Sequence, residues 1–342
     1  MIKPQHFVVI AGATIVAVAW AAYLNSSANQ RTAGGVEGRA MLPELARQAS
    51  SLGSIEFTKG DDKLTLERAG EQWKLKERGG YPVLADKVRA LVVQLADAKL
   101  VEAKTAAKDR WSLLELEDPQ DKDAKSALVR LLDAHGKPIS EMIIGKTHPN
   151  AFGTGRGGIY VRRPGETQTW LASGEPSVTL DVKDWVDTAI YKADVPKFKR
   201  VTVEHANEVP IVVEKGSEPN AKFALKSVPE GVKVKPNAPV DQIALGFSSI
   251  DLEDVRKLDT TPIGETVSVI TTESTDGLTV TFRLRREATP AAAWLSFTAS
   301  GTGDAKKAAD EINAKAAGWE FKIPDWKANQ IGKRAADLFE TS

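Results

Sequence analysis

A chain of 342 residues holds enough material for one large domain or two ordinary ones, at roughly 150 residues per domain. Lys plus Arg and Asp plus Glu number 46 each and no long basic run occurs, so nothing in the charge balance points to a nucleic-acid partner. Cysteine is absent, which excludes disulfides, thiol nucleophiles and thiolate metal sites.

The first predicted element is apolar. Phe7 to Leu24 reads FVVIAGATIVAVAWAAYL, 18 residues without a charge. At about 1.5 Å of rise per residue, such a helix covers ~27 Å, close to the hydrocarbon thickness of a bilayer. Phe7, Val8, Ile10, Ile15, Val18 and Leu24 supply apolar surface, and Trp20 and Tyr23 stand near the outer end, where amphipathic rings favour the membrane interface. Lys3 and the amino terminus precede the run, which argues for an N-terminus inside and the bulk of the chain outside. The expectation is a transmembrane anchor over residues 1–25. The rival is a cleaved signal peptide, for which Ala19, Ala21 and Ala22 supply small residues. The run is longer than a signal core of about 7–15 residues, which favours the anchor. Ser, Asn, Gly and Ala dominate the stretch after the run, and residues 26–50 read as a tether.

From residue 51 the hydrophobic period becomes two. Ile55 and Phe57, Leu64 and Leu66, and Trp73 and Leu75 alternate with polar residues, predicting three half-buried strands parted by turns at Gly60-Asp61-Asp62 and Ala69-Gly70. Leu84, Val88, Leu91 and Leu95 then recur at helical spacing, with Pro82 before the helix and Asp86 in its first turn. Strands follow at Leu128–Leu132, Glu141–Ile144, Ile159–Arg162 and Thr169–Leu171, and then a segment around Asp184-Trp185.

The second half replays this order. Strands are predicted around Val201 and Val203, at Ile211–Val213 and at Phe223–Leu225, then a helix with Ile243, Phe247 and Ile250 on one face. Further strands fall at Val267–Ile270, Leu278–Leu284 and Trp294–Phe297; Trp294-Leu295 echoes Trp170-Leu171, and Asp325-Trp326 echoes Asp184-Trp185. The C-terminus reads as helical, with Ala308, Ile312 and Ala316 on one face and Ile331, Ala335 and Leu338 on another. Strands that cluster rather than alternate with helices predict an α+β fold. The expectation is two similar, duplicated antiparallel-sheet-plus-helix domains, at 51–195 and 196–342, the second carrying C-terminal helices.

The chemistry is sparse. His6, His135, His148 and His205 show no metal-ligand spacing and read as solvated or turn residues. Gly153-Thr154-Gly155-Arg156-Gly157-Gly158 matches a dinucleotide fingerprint by letter, yet a strand comes next where the pyrophosphate needs a helix N-terminus, so the glycines read as a loop. Asp118, Asp121 and Asp123 lack calcium-loop spacing and read as a solvated turn. No catalytic, cofactor or metal residue is assigned. Trp170, Trp185, Trp294 and Trp326 form the candidate interaction surface; such residues mark a binding face if exposed and a core if buried.

The N-terminal span, Trp73-Lys74-Leu75, Tyr81-Pro82-Val83, the helix with Lys87, Val88 and Leu91, Ile144-Gly145-Lys146, Ile159–Arg162 and Asp184-Trp185 together resemble the domain-of-unknown-function 4340 (DUF4340) family. The resemblance implies a bacterial inner-membrane protein with its bulk in the periplasm, working beside an ABC-type transporter of the gliding-motility kind. Permease and ATPase subunits would be its partners, together with the membrane. The chain has no Walker motif, so ATP hydrolysis would belong to another chain. The expected function is a non-enzymatic accessory subunit of that complex. The alternatives are an envelope module binding glycan or lipid, and a hydrolase with a dispersed carboxylate site.

Overall fold

The computed structural model describes residues 38–340 except 217, 219–220, 227, 229 and 259–265. The apolar run at 7–24 lies outside these residues; among those described, no helix is long and apolar enough to cross a membrane. The architecture is mixed α+β with antiparallel sheets, in two compact units. The first comprises the described residues up to Trp73 together with Ala85–Leu180, and the second comprises Lys74–Leu84 and the chain from Asp181 onward. The division expected at 195–196 therefore falls earlier. Val182, Trp185, Val186, Ile190 and Tyr191 are buried residues of the second unit, and the Tyr191 ring lies 5.0 Å from that of Phe282.

The first unit takes in part of the expected tether. Strand β1 (Arg39–Ala40) and helix α1 (Pro43–Gln48) are ordered because Met41, Leu42 and Leu45 are buried. Pro43 opens the helix, where a missing N–H costs little. Strands β2 (Leu52–Lys59) and β3 (Asp62–Ala69) form a hairpin. The chain leaves this unit within β4 (Gln72–Leu75), and β5 (Tyr81–Val83) belongs to the second. Helix α2 (Ala85–Asp97) returns, burying Val88, Leu91 and Leu95. Then come β6 (Lys99–Ala103), β7 (Ala127–Asp133), β8 (Pro138–His148), β9 (Gly158–Arg162) and β10 (Thr169–Ser173). The strand order is β1-β6-β10-β9-β8-β7-β2-β3. Registers place Leu64, Phe57, Val129 and Met142 opposite one another across four strands, all buried. Each such side chain contributes about 1.5–3 kcal/mol, so this row specifies the pairing: a one-residue slip would turn it outward.

The second unit contains β11 (Ala189–Lys192), β12 (Phe198–His205), β13 (Ile211–Lys215), β14 (Phe223–Leu225), α3 (Val240–Leu245), β15 (Ser249–Asp251), β16 (Asp254–Lys257), β17 (Thr266–Ser274), β18 (Thr279–Ala288), β19 (Ala291–Ser300), α4 (Asp304–Ala316), β20 (Trp319–Ile323), α5 (Asp325–Ile331) and α6 (Ala335–Leu338). Its main sheet runs β14-β13-β12-β17-β18-β19-β20-β16, and β11 pairs with β15 apart from it. The equivalent buried row is Ile211, Val203, Ile270, Phe282 and Phe297. Taken in chain order, β16-β20-β19-β18-β17-β12-β13 has the arrangement of β6-β10-β9-β8-β7-β2-β3. The units differ between their last two hairpin strands: residues 163–168 form a loop in the first, where the second inserts α4.

The expected helical C-terminus is interrupted. Trp319, Phe321 and Ile323 follow period two and form β20, paired with β19 and β16. Ile331 and Leu338 are buried on separate short helices, because Gly332 ends α5.

Candidate functional site

Helix α4 builds the site. Strand β20 covers β19 only over Ala293–Leu295, and α4 meets the stretch beyond it. Asn313 Nδ2 donates to the Ala299 carbonyl and its Oδ1 accepts from the Ala299 N–H, both at 2.8 Å. One side chain thereby satisfies both main-chain groups of a strand residue that lacks a strand partner on that side. Ala305, Ala309 and Ala316 are buried, and their small size permits close docking. At Gly301 a Cβ would fall 2.5 Å from the Ala305 carbonyl oxygen, so the turn into α4 admits no side chain there.

The face of α4 carrying Ala308, Ile312 and Lys315, spaced four and three residues apart, looks the other way. Between it and β11 lies a cleft of 440 Å³ with Tyr191, Phe198, Ile312 and Leu278 among its apolar lining. The predicted stripe of Ala308, Ile312 and Ala316 is thus divided: Ala316 is buried, while Ala308 and Ile312 are half-buried and line the cleft. At the rim, Lys197 bridges Asp194 and Asp276, each at 3.6 Å, which leaves this cluster one net negative charge.

A second cleft of 270 Å³ shares Ala189, Ile190 and Lys315 with the first and continues to Tyr81, Trp319 and Phe321. Lys315 pairs with Asp187 at 3.4 Å, both more than half exposed. A pair this exposed is worth roughly 0–1 kcal/mol, so it separates easily. Burial, then the charge of Asp187, pushes the Tyr81 phenol up to about 12, so it remains a protonated donor. The Trp319 ring meets Tyr81 edge-on at 4.9 Å and carries the Lys257 ammonium 3.7 Å from its centroid. The aromatic and aliphatic part of this lining suits an apolar group. Among the described residues, no group of three or more His, Asp or Glu is placed to hold a metal ion.

A family profile described as "Domain of unknown function (DUF4340)" matches residues 73–276. The chain belongs to the DUF4340 family. No curated protein and no solved structure matches it. The DUF4340 match begins in β4 and ends in the turn after β17, so it includes β11 while α4 lies beyond it. The motifs within the match are packing positions. Gly145 sits where a Cβ would come 2.4 Å from the Leu114 carbonyl oxygen, and Trp185 is buried, its carbonyl accepting from the Leu84 N–H at 2.8 Å.

The anchor residues Phe7, Val8, Ile10, Ile15, Val18, Trp20, Tyr23 and Leu24 lie outside the described residues of this DUF4340 chain. Of the four singled-out tryptophans, Trp170 is half-buried on β10 of the first unit. Trp185 and Trp294 are buried and present no face to a partner. Trp294 donates from Nε1 to Glu287 at 3.0 Å and is capped by the Arg256 guanidinium 3.7 Å from its centroid. Arg256 in turn holds the buried Glu320 at 2.7 Å. Trp326 alone of the four is well exposed, at 65%.

One further expectation, at His205, needs correction. His205 is no solvated residue: it is buried, with Nε2 2.8 Å from the Lys333 carbonyl oxygen and Nδ1 3.1 Å from Ser268 Oγ. Asp118 stands exposed in the expected turn, where it also accepts from Arg162 Nη2 at 2.5 Å; Arg162 is a fully buried cation stacked on Trp111 at 3.7 Å. No local pattern announces either partner. The glycine run is the loop expected of it, with positive φ at Gly153 and Gly155 and β9 starting at Gly158.

Proposed function

We propose that this DUF4340 protein is a non-enzymatic accessory subunit of an envelope ABC-type transport complex. In this reading one N-terminal span holds it in the bacterial inner membrane, its bulk lies in the periplasm, and its second unit is the binding part. The observation that carries the reading is the cleft between α4 and β11. Tyr191, Phe198, Leu278 and Ile312 give it apolar surface within a charged rim, and among the described residues β11 pairs with one strand, β15. An edge of this kind accepts an extended segment through main-chain hydrogen bonds, while the lining takes alternate side chains. The occupant is an extended apolar segment of the permease. The uncharged run from Phe7 to Leu24 supports the membrane placement.

The two units are read as copies of one ancestral unit. Their common strand order supports this, as does the helix before β6 in one and before β15 in the other. Helix α4 would then be an addition to the second copy, and it brings the cleft with it.

The apolar part of the same lining favours, as a second reading, an envelope module that binds a lipid chain. Co-purification of the tagged full-length protein from native membranes in mild detergent separates the two. Permease and ATPase in the eluate are the expected result; a partnerless protein carrying stoichiometric lipid would overturn the first reading in favour of the second.

A further inference from the structure

Another concavity of the second unit has the opposite chemistry. It measures 370 Å³ and is lined by Arg286, Asn329, Gly332, Lys333, Arg334 and Asp337. Three of the six are cations. The Asp337 carboxylate is engaged, accepting from the Arg334 N–H at 2.9 Å, and the Arg334 guanidinium donates to Glu208 at 3.0 Å. Arg286 is held by a neutral group, donating from Nη2 to Asn329 Oδ1 at 2.7 Å. Among the described residues, neither Arg286 nor Lys333 has a carboxylate partner.

The turn that presents Lys333 and Arg334 is fixed from beneath, and Arg286 reaches the same concavity from β18. Gly332 ends α5 where a Cβ would come within 2.8 Å of a Leu284 methyl group. His205 then meets the Lys333 carbonyl oxygen. With its proton on Nε2, the imidazole donates to that carbonyl and accepts from the Ser268 hydroxyl, a tautomer assigned from these partners. The Lys333 ammonium on this fixed turn and the Arg286 guanidinium on β18, neither with a carboxylate and both beside Arg334, suit a phosphate: arginine offers paired donors and lysine a point charge.

The neighbouring surface identifies the source of that phosphate. Trp326 precedes Asn329 by three residues on α5, so both lie on one helix face and the exposed indole stands beside the Arg286–Asn329 contact. Leu245, half exposed, ends α3, and the next residue, Gly246, accepts from Lys327 Nζ at 2.9 Å, so it too is close to Trp326. Indole and leucine beside unpaired cations match a membrane surface, where rings rest at headgroup level and cations meet anionic lipid. We infer that this corner of the second unit, Arg286, Lys333 and Arg334 with Trp326 beside them, binds the phosphate headgroup of an anionic phospholipid. The inference requires neither the cleft nor the transporter partners.

The test is calorimetric titration of the full-length protein in neutral detergent with dihexanoyl phosphatidylglycerol, dihexanoyl phosphatidylcholine and inorganic phosphate. Phosphatidylglycerol should bind at least tenfold more tightly than either of the others. Arg286→Gln with Lys333→Gln should weaken it tenfold or more, Trp326→Ser severalfold, and Arg286→Lys with Lys333→Arg less than threefold. Should the glutamine pair unfold, Lys333→Gln alone carries the test, since that side chain has no carboxylate to lose. Equal affinity for the two lipids, or an unaffected Lys333→Gln, would overturn the inference. Phosphate binding as tightly as phosphatidylglycerol would also overturn it, in favour of a soluble anion.

Discussion

Replacing Arg162 by methionine asks why the first unit buries a cation. The side chain is 2% exposed. It donates to the Leu116 carbonyl at 3.1 Å, the Glu166 carbonyl at 3.2 Å and Asp118 at 2.5 Å, and stacks on Trp111. Asp118 is 59% exposed and regains water when the arginine is gone, so that bond counts at the surface value of roughly 0–1 kcal/mol. Leu116 is buried, and its carbonyl loses the donor outright, at about 1–3 kcal/mol. The desolvated stacking is worth about 2 kcal/mol, of which a thioether recovers part. The expected net loss is about 3 kcal/mol, read by urea denaturation, with Arg162→Lys falling between wild type and Arg162→Met. A double-mutant cycle with Trp111→Phe should show positive coupling. If Arg162→Met lies within about 0.5 kcal/mol of wild type or above it, the desolvation cost of the cation equals its contacts and the reasoning fails.

Three further outcomes concern the second unit. Asn313→Ala removes both bonds that dock α4 on Ala299, which should cost about 1–3 kcal/mol and speed hydrogen exchange within 304–316; exchange unchanged there would contradict the docking role. The hydrogen bond from Arg256 holds the Glu287 carboxyl below the usual carboxylate range. Its stabilisation is complete above about pH 4.3 and fades as pH falls through the lowered value, so Glu287→Gln should flatten the acid limb of Tm against pH, and an unchanged limb would count against it. Burial lowers the Lys327 pKa, against a smaller opposing pull from Asp251. The unfolded chain then binds the proton more tightly, and wild-type stability should rise with pH up to about 10.4. Lys327→Met should abolish that slope, and a slope that persists would refute the assignment.

Strands that alternate cleanly are legible in the sequence. Ile55 and Phe57 announce β2 and Val201 and Val203 announce β12, because each has one face on the core. Lys99–Ala103 and Ala189–Lys192 escape such a reading, being short and without a clean alternation. Trp319–Ile323 does alternate, but helical patterns on both sides hide it. Helix α4 is legible as a helix, but its exposed and docked faces differ by one residue: Ala308 faces the cleft and Ala309 the sheet. The site is less legible than the fold. The cleft joins residues 189–198, 274–278 and 308–315, and the His205 partner lies 128 residues away, separations that no local spacing encodes. Tryptophan content shows large aromatics to place but not which of them solvent reaches; Trp294 is buried through Arg256, Glu287 and the neighbouring strand.

Occupation of the cleft between α4 and β11 by a permease segment can be read by a photo-crosslinking amino acid placed at Ile312 of the full-length protein in native membranes. A light-dependent adduct with the permease is expected, absent when the same amino acid replaces Lys306 on the exposed side of α4. Crosslinks to lipid alone, or equal permease adducts from both positions, would contradict that occupancy.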